Sequence, residues 1–381
     1  MAKGAKKSRT SRPRGALGWA LGAAALGAGA GIAVERLLVG RDRARSDPMA
    51  EVDYGEFAGD RRYDISSFDG AVLAADEVGP ERAVSGAVFL HGFCLDRTIW
   101  HHQIEGLDGR RRFVFYDARD HGESRGGKAE PDTRTLARDL KALLDHSGLK
   151  RVVLVGHSMG GMTALEYCRE HPDEMGKRIK GLVLLNTTYT DAVKTLFAGA
   201  VVAPVERRLR GVINRLINDP RGSRALRIRG DDLSWALVKV FGFGPKASPK
   251  QVEFTQRLLT SFPSPPLIGI MRGLRDFDME EALTSITVPA LIVAGGDDRI
   301  TTVRASERMA EDIPNSRLVV FERAGHMAMM ERYEDFNGLL SDFFDETLRT
   351  RPKSRTESAD GQVARRKAAP RTGLADKKRP T

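Results

Sequence analysis

Cysteine is almost absent from this chain. Two residues in 381, Cys94 and Cys168, are too few for a disulfide framework, and their spacing matches no metal-ligand signature. Both are expected to be small buried side chains. Aromatic residues make up only 7%, and none is interleaved with the basic clusters. A basic excess is also missing from the middle of the chain. The whole carries +10, but residues 1–14 hold six Lys or Arg without an acid, and residues 351–381 hold ten against three acids. The two termini therefore exceed the total, and residues 15–350 are slightly acidic. Without a basic face or a groove-reading motif, no nucleic-acid partner is expected. What remains, 41% apolar and rich in Ala, Val and Leu, suits a globular enzyme.

Large apolar side chains are scarce in the one long uncharged stretch. Residues 15–34, "GALGWALGAAALGAGAGIAV", have bilayer length, but fourteen of the twenty are Gly or Ala. Six basic residues precede the stretch, so a single membrane-spanning helix with the N-terminus inside is expected. A cleaved signal, with "AGA" at 28–30, and a soluble helix stay open as alternatives. The segmentation is then a basic tail (1–14), a transmembrane anchor (15–39), a linker (40–59), a core (60–190 and 288–350), an inserted helical cap (191–287) and a disordered basic tail (351–381). The expected localisation is membrane-anchored.

From about residue 60 the pattern becomes short apolar runs separated by helical stretches. An Asp69-Gly70 turn lies between two extended runs, the signature of a hairpin. The runs "GAVFL" (86–90), "RRFVFY" (111–116), "RVVLVG" (151–156), "GLVLL" (181–185), "PALIVAG" (289–295) and "RLVVF" (317–321) read as strands buried on both faces. Between them, Leu136, Leu140, Leu143 and Leu144 recur at helical spacing and Gly148 closes the helix. The class is α/β with a mostly parallel sheet. Roughly 100 residues separate Leu185 from Pro289, far more than one crossover helix needs. Residues 191–287 are therefore read as the cap, with helices near 191–217, 231–241, 249–260 and 267–274.

Residues 156–160, "GHSMG", stand between a strand and a helix that carries Met162, Leu165 and Cys168 at helical spacing. A strained turn there would lift Ser158 above the sheet edge, with the next backbone N–H at a helix N-terminus where an oxyanion is favoured. A hydroxyl needs a base, and the base an orienting carboxylate. His326, in "AGHMAMM" after the last strand, fits the base. His91 and His121 suit structural hydrogen bonding better, and His101, His102, His146 and His171 read as surface or helix residues. Asp297 and Asp298 end another strand and are both candidates for the acid.

Taken together, "HGF", "DARDHGES", "GHSMGG" and "GGDDRIT" with "AGH", in that order, resemble the α/β-hydrolase superfamily across roughly residues 60–348. Within it the chain is similar to the serine esterase, lipase and cofactor-free haloperoxidase-like group. The N-terminal stretch followed by "ERLLVGRDRAR" also resembles a group of actinobacterial membrane-associated hydrolases. The resemblance implies a helical cap over a flanked sheet. It selects Asp298 over Asp297, and assigns the oxyanion hole to the backbone N–H groups of Phe93 and Met159. Asp117, Arg119 and Gly122 are given structural roles beneath the site. No metal or organic cofactor is implied. Serine at 158 separates the chain from dehalogenases and epoxide hydrolases, whose nucleophile is a carboxylate. The expected substrate is a small carboxylic ester, apolar or lipid-like, cleaved through an acyl-enzyme on Ser158. The same triad would also serve perhydrolysis with halide oxidation, C–C bond hydrolysis or acyl transfer, and a silent fold would be a tethered binding protein.

Overall fold

The computed structural model describes residues 39–349 apart from 57–58, 108, 192–231 and 263. Eight strands form one sheet in the order β1-β2-β4-β3-β5-β6-β7-β8. They are β1 (Arg61–Ser66), β2 (Val72–Val78), β3 (Ser85–Leu90), β4 (Arg112–Tyr116), β5 (Arg151–His157), β6 (Ile179–Leu185), β7 (Ala290–Gly295) and β8 (Ser316–Phe321). The β1–β2 and β2–β4 pairs are antiparallel and the rest parallel. The hairpin turns at Gly70, which has a φ of 91°.

Continuous apolar runs give strands covered on both faces in β3 to β7, but not in β8, which was expected to be covered as well: it is the last strand of the sheet, with Arg317 exposed and only Phe321 buried. In β5 the side chains alternate between two cores, Val153 and Val155 packing with Phe89 and Phe343, Val152 and Leu154 with Leu140 and Leu165. The helices are α1 (His101–Gly106), α2 (Thr133–Ser147), α3 (Met159–Glu170), α4 (Asp232–Gly242), α5 (Pro249–Ser261), α6 (Ser264–Arg275), α7 (Val303–Asp312), α8 (Ala328–Glu331) and α9 (Tyr333–Leu348). Capping fixes α2 at both ends: the Asp132 carboxylate accepts from the N–H of Thr135 at 2.7 Å, and Gly148 leaves at φ 65°. In the cap, α6 starts three residues before the periodicity suggests, because Pro265 and Pro266 fall in its first turn, where a missing N–H is harmless.

Strand order reverses around β3 and β5, so the connections leaving their carboxyl ends diverge and open a crevice. "HGF" follows β3 and Ser158 follows β5, which sets both motifs at that crevice.

Residues 40–59, expected as a linker, pack on the body of the molecule where they are described. Tyr54 is buried, stacks on Phe254 of α5 with ring centroids 5.1 Å apart, and shares a hydrogen bond with His102 Nε2 at 3.1 Å. Asp47 accepts from Ser248 Oγ and the Lys250 N–H, both at 2.8 Å, and Arg43 pairs with Asp232 at 3.0 Å.

The expected membrane-anchored localisation is corrected. Among the described residues no helix is long and apolar enough to cross a membrane. The segment assigned to the anchor lies outside the described residues except for Val39, which is buried in the same apolar core as Trp235 and Phe243. A stretch in which Gly and Ala supply fourteen of twenty residues also has little apolar surface to offer a bilayer. The helix expected at 191–217 and the two basic tails lie outside the described residues as well.

Candidate active site

Ser158 stands between β5 and α3 with φ 52° and ψ −118°, a conformation costing a non-glycine residue on the order of 1–3 kcal/mol. Its surroundings enforce it. The Ser158 N–H donates to Leu185 O at 3.1 Å, and Thr187 Oγ1 donates to the Ser158 carbonyl at 2.7 Å, so the end of β6 grips the residue on both sides. The flanking glycines are needed for close approach: a Cβ on Gly160 would lie 2.2 Å from Leu90 O, and one on Gly156 2.5 Å from Gly160 O. That contact explains why serine sits between glycines at this junction.

Asp298 and His326 meet across two loops. His326 Nδ1 lies 2.8 Å from Asp298 Oδ2. Asp298 is buried and well furnished with donors. Its Oδ1 accepts from the N–H groups of Ile300 (2.7 Å) and Thr301 (3.0 Å), its Oδ2 from Asn186 Nδ2 (2.6 Å) and Thr301 Oγ1 (2.8 Å). Burial opposes ionisation, but the His326 ring, the Asn186 amide and the Ile300 N–H outweigh it and hold the carboxyl below the usual carboxylate range. Asp297 points to solvent. Geometry thus separates two aspartates that residue type could not.

Ser158 and His326 line one cavity of about 310 Å³ beneath the cap. Leu237, Val238 and Phe241 of α4 and Leu259 of α5 supply its apolar wall, and among the described residues no Asp, Glu, Lys or Arg lines it. Larger hollows of about 650 and 750 Å³ contain neither Ser158 nor His326. No hydrogen bond joins the Ser158 hydroxyl to the imidazole among the described contacts, a link that often tightens only when substrate arrives.

Four contributors lie outside the residues singled out from sequence. Asn186, at φ 42°, ends β6 and donates to Asp298, and Thr301 wraps the same carboxylate. His157 Nε2 bonds the His326 carbonyl oxygen at 2.9 Å and its ring lies 4.8 Å from that of His326. Burial holds His157 well below the ordinary imidazole range, so it stays neutral. Glu331 binds the loop that carries His326. Asn186 had a signal in sequence, a polar residue directly after a fully apolar strand; His157 and Thr301 stand inside the motifs "GHSMGG" and "GGDDRIT" without being singled out, and Glu331 had no signal.

His91 and His121 behave as structural groups. His91 Nε2 accepts the Ala118 N–H at 2.9 Å, and His121 Nε2 accepts the Cys94 N–H at 3.1 Å, which holds the turn containing Phe93. Met159 begins α3, where the first N–H groups have no intrahelical acceptor. Phe93 follows β3 in the turn on the other side of the crevice, and its ring packs on Phe262 at 5.7 Å. Beneath it, Arg119 is wholly buried, paired with Asp139 at 2.6 Å and Asp69 at 2.9 Å. Asp117 takes the backbone N–H of Arg97 at 2.8 Å, and Gly122 turns at φ 50°. Among the described residues, one group that could hold a metal, His101, His102 and Glu105, brings ligand atoms within 4.8 Å on α1, apart from this cavity.

A family model described as the alpha/beta hydrolase fold matches residues 88–333. The chain is 29% identical over 280 residues to the AB hydrolase superfamily protein YisY of Bacillus subtilis, covering 73% of this chain and 97% of that one. Among solved structures it resembles a thermophilic esterase from Thermogutta terrifontis, at 25% identity and TM-score 0.60, over 75% of this chain and 99% of that one. An esterase from Exiguobacterium antarcticum aligns at 25% identity and TM-score 0.61, over 75% of this chain and 100% of that one.

Proposed function

The chain belongs to the alpha/beta-hydrolase family, and from that premise we propose that it is a serine hydrolase of carboxylic esters with an apolar acyl or alcohol portion. The observation that carries the reading is the Asp298–His326 contact at the wall of the cavity that also holds Ser158. The two esterases that share the fold support the same class of bond.

In this reading His326 Nε2 takes the proton of Ser158 as Oγ attacks the ester carbonyl. The backbone N–H groups of Phe93 and Met159 receive the oxyanion. Collapse expels the alcohol, protonated by His326, and leaves an acyl-enzyme. Water, deprotonated by the same imidazole, releases the acid. Asp298 keeps the proton on Nδ1 so that Nε2 is free to accept. The apolar wall that the described residues give the cavity favours an uncharged chain over a carboxylate or ammonium substrate.

Incubation of the full chain with a fluorophosphonate probe is expected to label the wild type and to fail with Ser158→Ala and His326→Ala. Folded wild type that stays unlabelled would refute the reading. Product analysis should then find one acid and one alcohol per turnover, which separates ester hydrolysis from C–C cleavage and from halide oxidation.

The cavity wall gives a second expectation. Val238→Trp should lower kcat/KM for an octanoyl ester by about 10-fold to 100-fold while an acetyl ester is largely spared, since each methylene excluded from an apolar pocket weakens the transition state. Parallel losses for both esters would show that this wall does not bind the acyl chain.

A further inference from the structure

Glu331 has no part in the chemistry above, yet its carboxylate lies between the two segments that close the site. It ends α8, five residues after His326. Its Oε1 accepts the N–H of Gly325, the neighbour of His326, at 2.7 Å; its Oε2 accepts the N–H of Gly244, in the turn between α4 and α5, at 2.9 Å. A backbone bond crosses the same seam, from the Met327 N–H to Gly242 O at 2.8 Å. The backbones meet without room for side chains: a Cβ on Gly325 would lie 2.4 Å from the Phe243 carbonyl carbon, and one on Gly244 would lie 2.2 Å from Arg323 O.

We propose that Glu331 is a positioning residue of this site, its ionised carboxylate bridging the His326 loop to the α4–α5 turn so that the imidazole stays aimed at Ser158. The proposal rests on the reading of His326 as general base. Two separate oxygens must accept at once, which an ionised carboxylate does strongly at both. Once protonated, the hydroxyl oxygen is a weaker acceptor and its hydrogen needs a partner of its own, so one of the two buried N–H groups is held less firmly.

The charged groups facing Glu331 are few among the described residues. Burial dominates and pushes its carboxyl up to about 7; the Gly325 and Gly244 N–H groups and Lys239 of α4 oppose that shift, and Asp297 after β7 reinforces it. Below about pH 7 the folded protein therefore holds Glu331 protonated, with one side of the bridge weakened. Above it the bridge is complete. Lys239 itself is held by Ala247 O at 3.2 Å and lies 3.8 Å from Asp42.

Glu331→Gln imitates the protonated form at every pH. The rate of fluorophosphonate labelling of the full chain, measured from pH 5 to 8.5, is expected to be about 10-fold to 100-fold higher in wild type than in Glu331→Gln at pH 8.5. The ratio should fall toward one at pH 5, through a single-proton transition near pH 7. A ratio independent of pH, or equal to one throughout, overturns the proposal. If Glu331→Gln does not fold, hydrogen exchange in wild type decides: the Gly325 and Gly244 amides should lose protection below pH 7, and unchanged protection from pH 8.5 to 5 overturns the proposal. Wild type that does not label, or labelling that survives in Ser158→Ala, removes the hydrolase reading and this inference with it.

Discussion

Asp298→Asn is expected to leave the fold in place and to lower ester turnover by about four orders of magnitude. The substitution preserves shape, so the cause is electronic. Asp298 meets four donors besides His326, namely two backbone N–H groups, a hydroxyl and the Asn186 amide. An amide must turn one NH₂ toward that set. If it turns the NH₂ toward His326, Nδ1 becomes the acceptor and the proton moves to Nε2, where it blocks proton abstraction from Ser158. If it turns the other way, the NH₂ meets the Thr301 and Ile300 donors, and the loop after β7 loses its anchor. Both outcomes reduce kcat. The check is kcat for purified Asp298→Asn beside Asp297→Asn, which alters an exposed side chain and should stay within about twofold. A loss below about tenfold in Asp298→Asn would sink the assignment of Asp298 as the orienting acid.

The largest effect on stability is expected from Arg119→Met. Methionine fills similar space but removes the partner of two carboxylates. Asp139 is buried and, among the described residues, receives the Ser67 hydroxyl besides Arg119, while Asp69 also takes the Ala129 N–H at 2.7 Å. Burial already pushes the Asp139 carboxyl up, and Arg119 is the main force opposing that shift. Removing one member of such a pair leaves an uncompensated buried charge and costs about 3–5 kcal/mol. For a folded unit of this size the melting temperature should fall by about 5 to 8 °C. Arg119→Met with Asp139→Asn should be less destabilised than Arg119→Met alone, because the stranded charge is gone. Thermal unfolding of the three proteins measures this. A change of less than about 2 °C in Arg119→Met would show that the buried pair contributes little. Activity should drop in the same variant, because His121, two residues on, holds the turn that carries Phe93.

These two residues differ in how far they could be read in advance. Arg119 belongs to a motif whose spacing suggests a supporting loop, and its partners Asp69 and Asp139 lie within 50 positions of it. Asp298 was one of two adjacent candidates that residue type left open and the family resemblance chose between, and the burial agrees with that choice: one carboxylate turns inward to His326, the other is exposed. The N-terminal stretch misled for the opposite reason. Its length and flanking charge satisfy a counting rule, while the packing of Val39 against cap and core residues is a property no count contains.

Features that depend on near neighbours are legible along the chain. Short Val and Leu runs alternating with helical stretches point to a mostly parallel sheet, Gly148 ends a helix through its backbone freedom, and two glycines around Ser158 allow a turn that other residues would obstruct. Tertiary structure decided what depends on groups distant along the chain. Asn186 reaches Asp298 across 112 positions, His157 holds the His326 carbonyl across 169, and Glu331 joins Gly325 to Gly244 across 87. A hydrogen bond of 2.6 to 2.9 Å leaves no trace in composition or periodicity, because its partners are chosen by how helices and strands pack, and that choice exists only once the chain has folded.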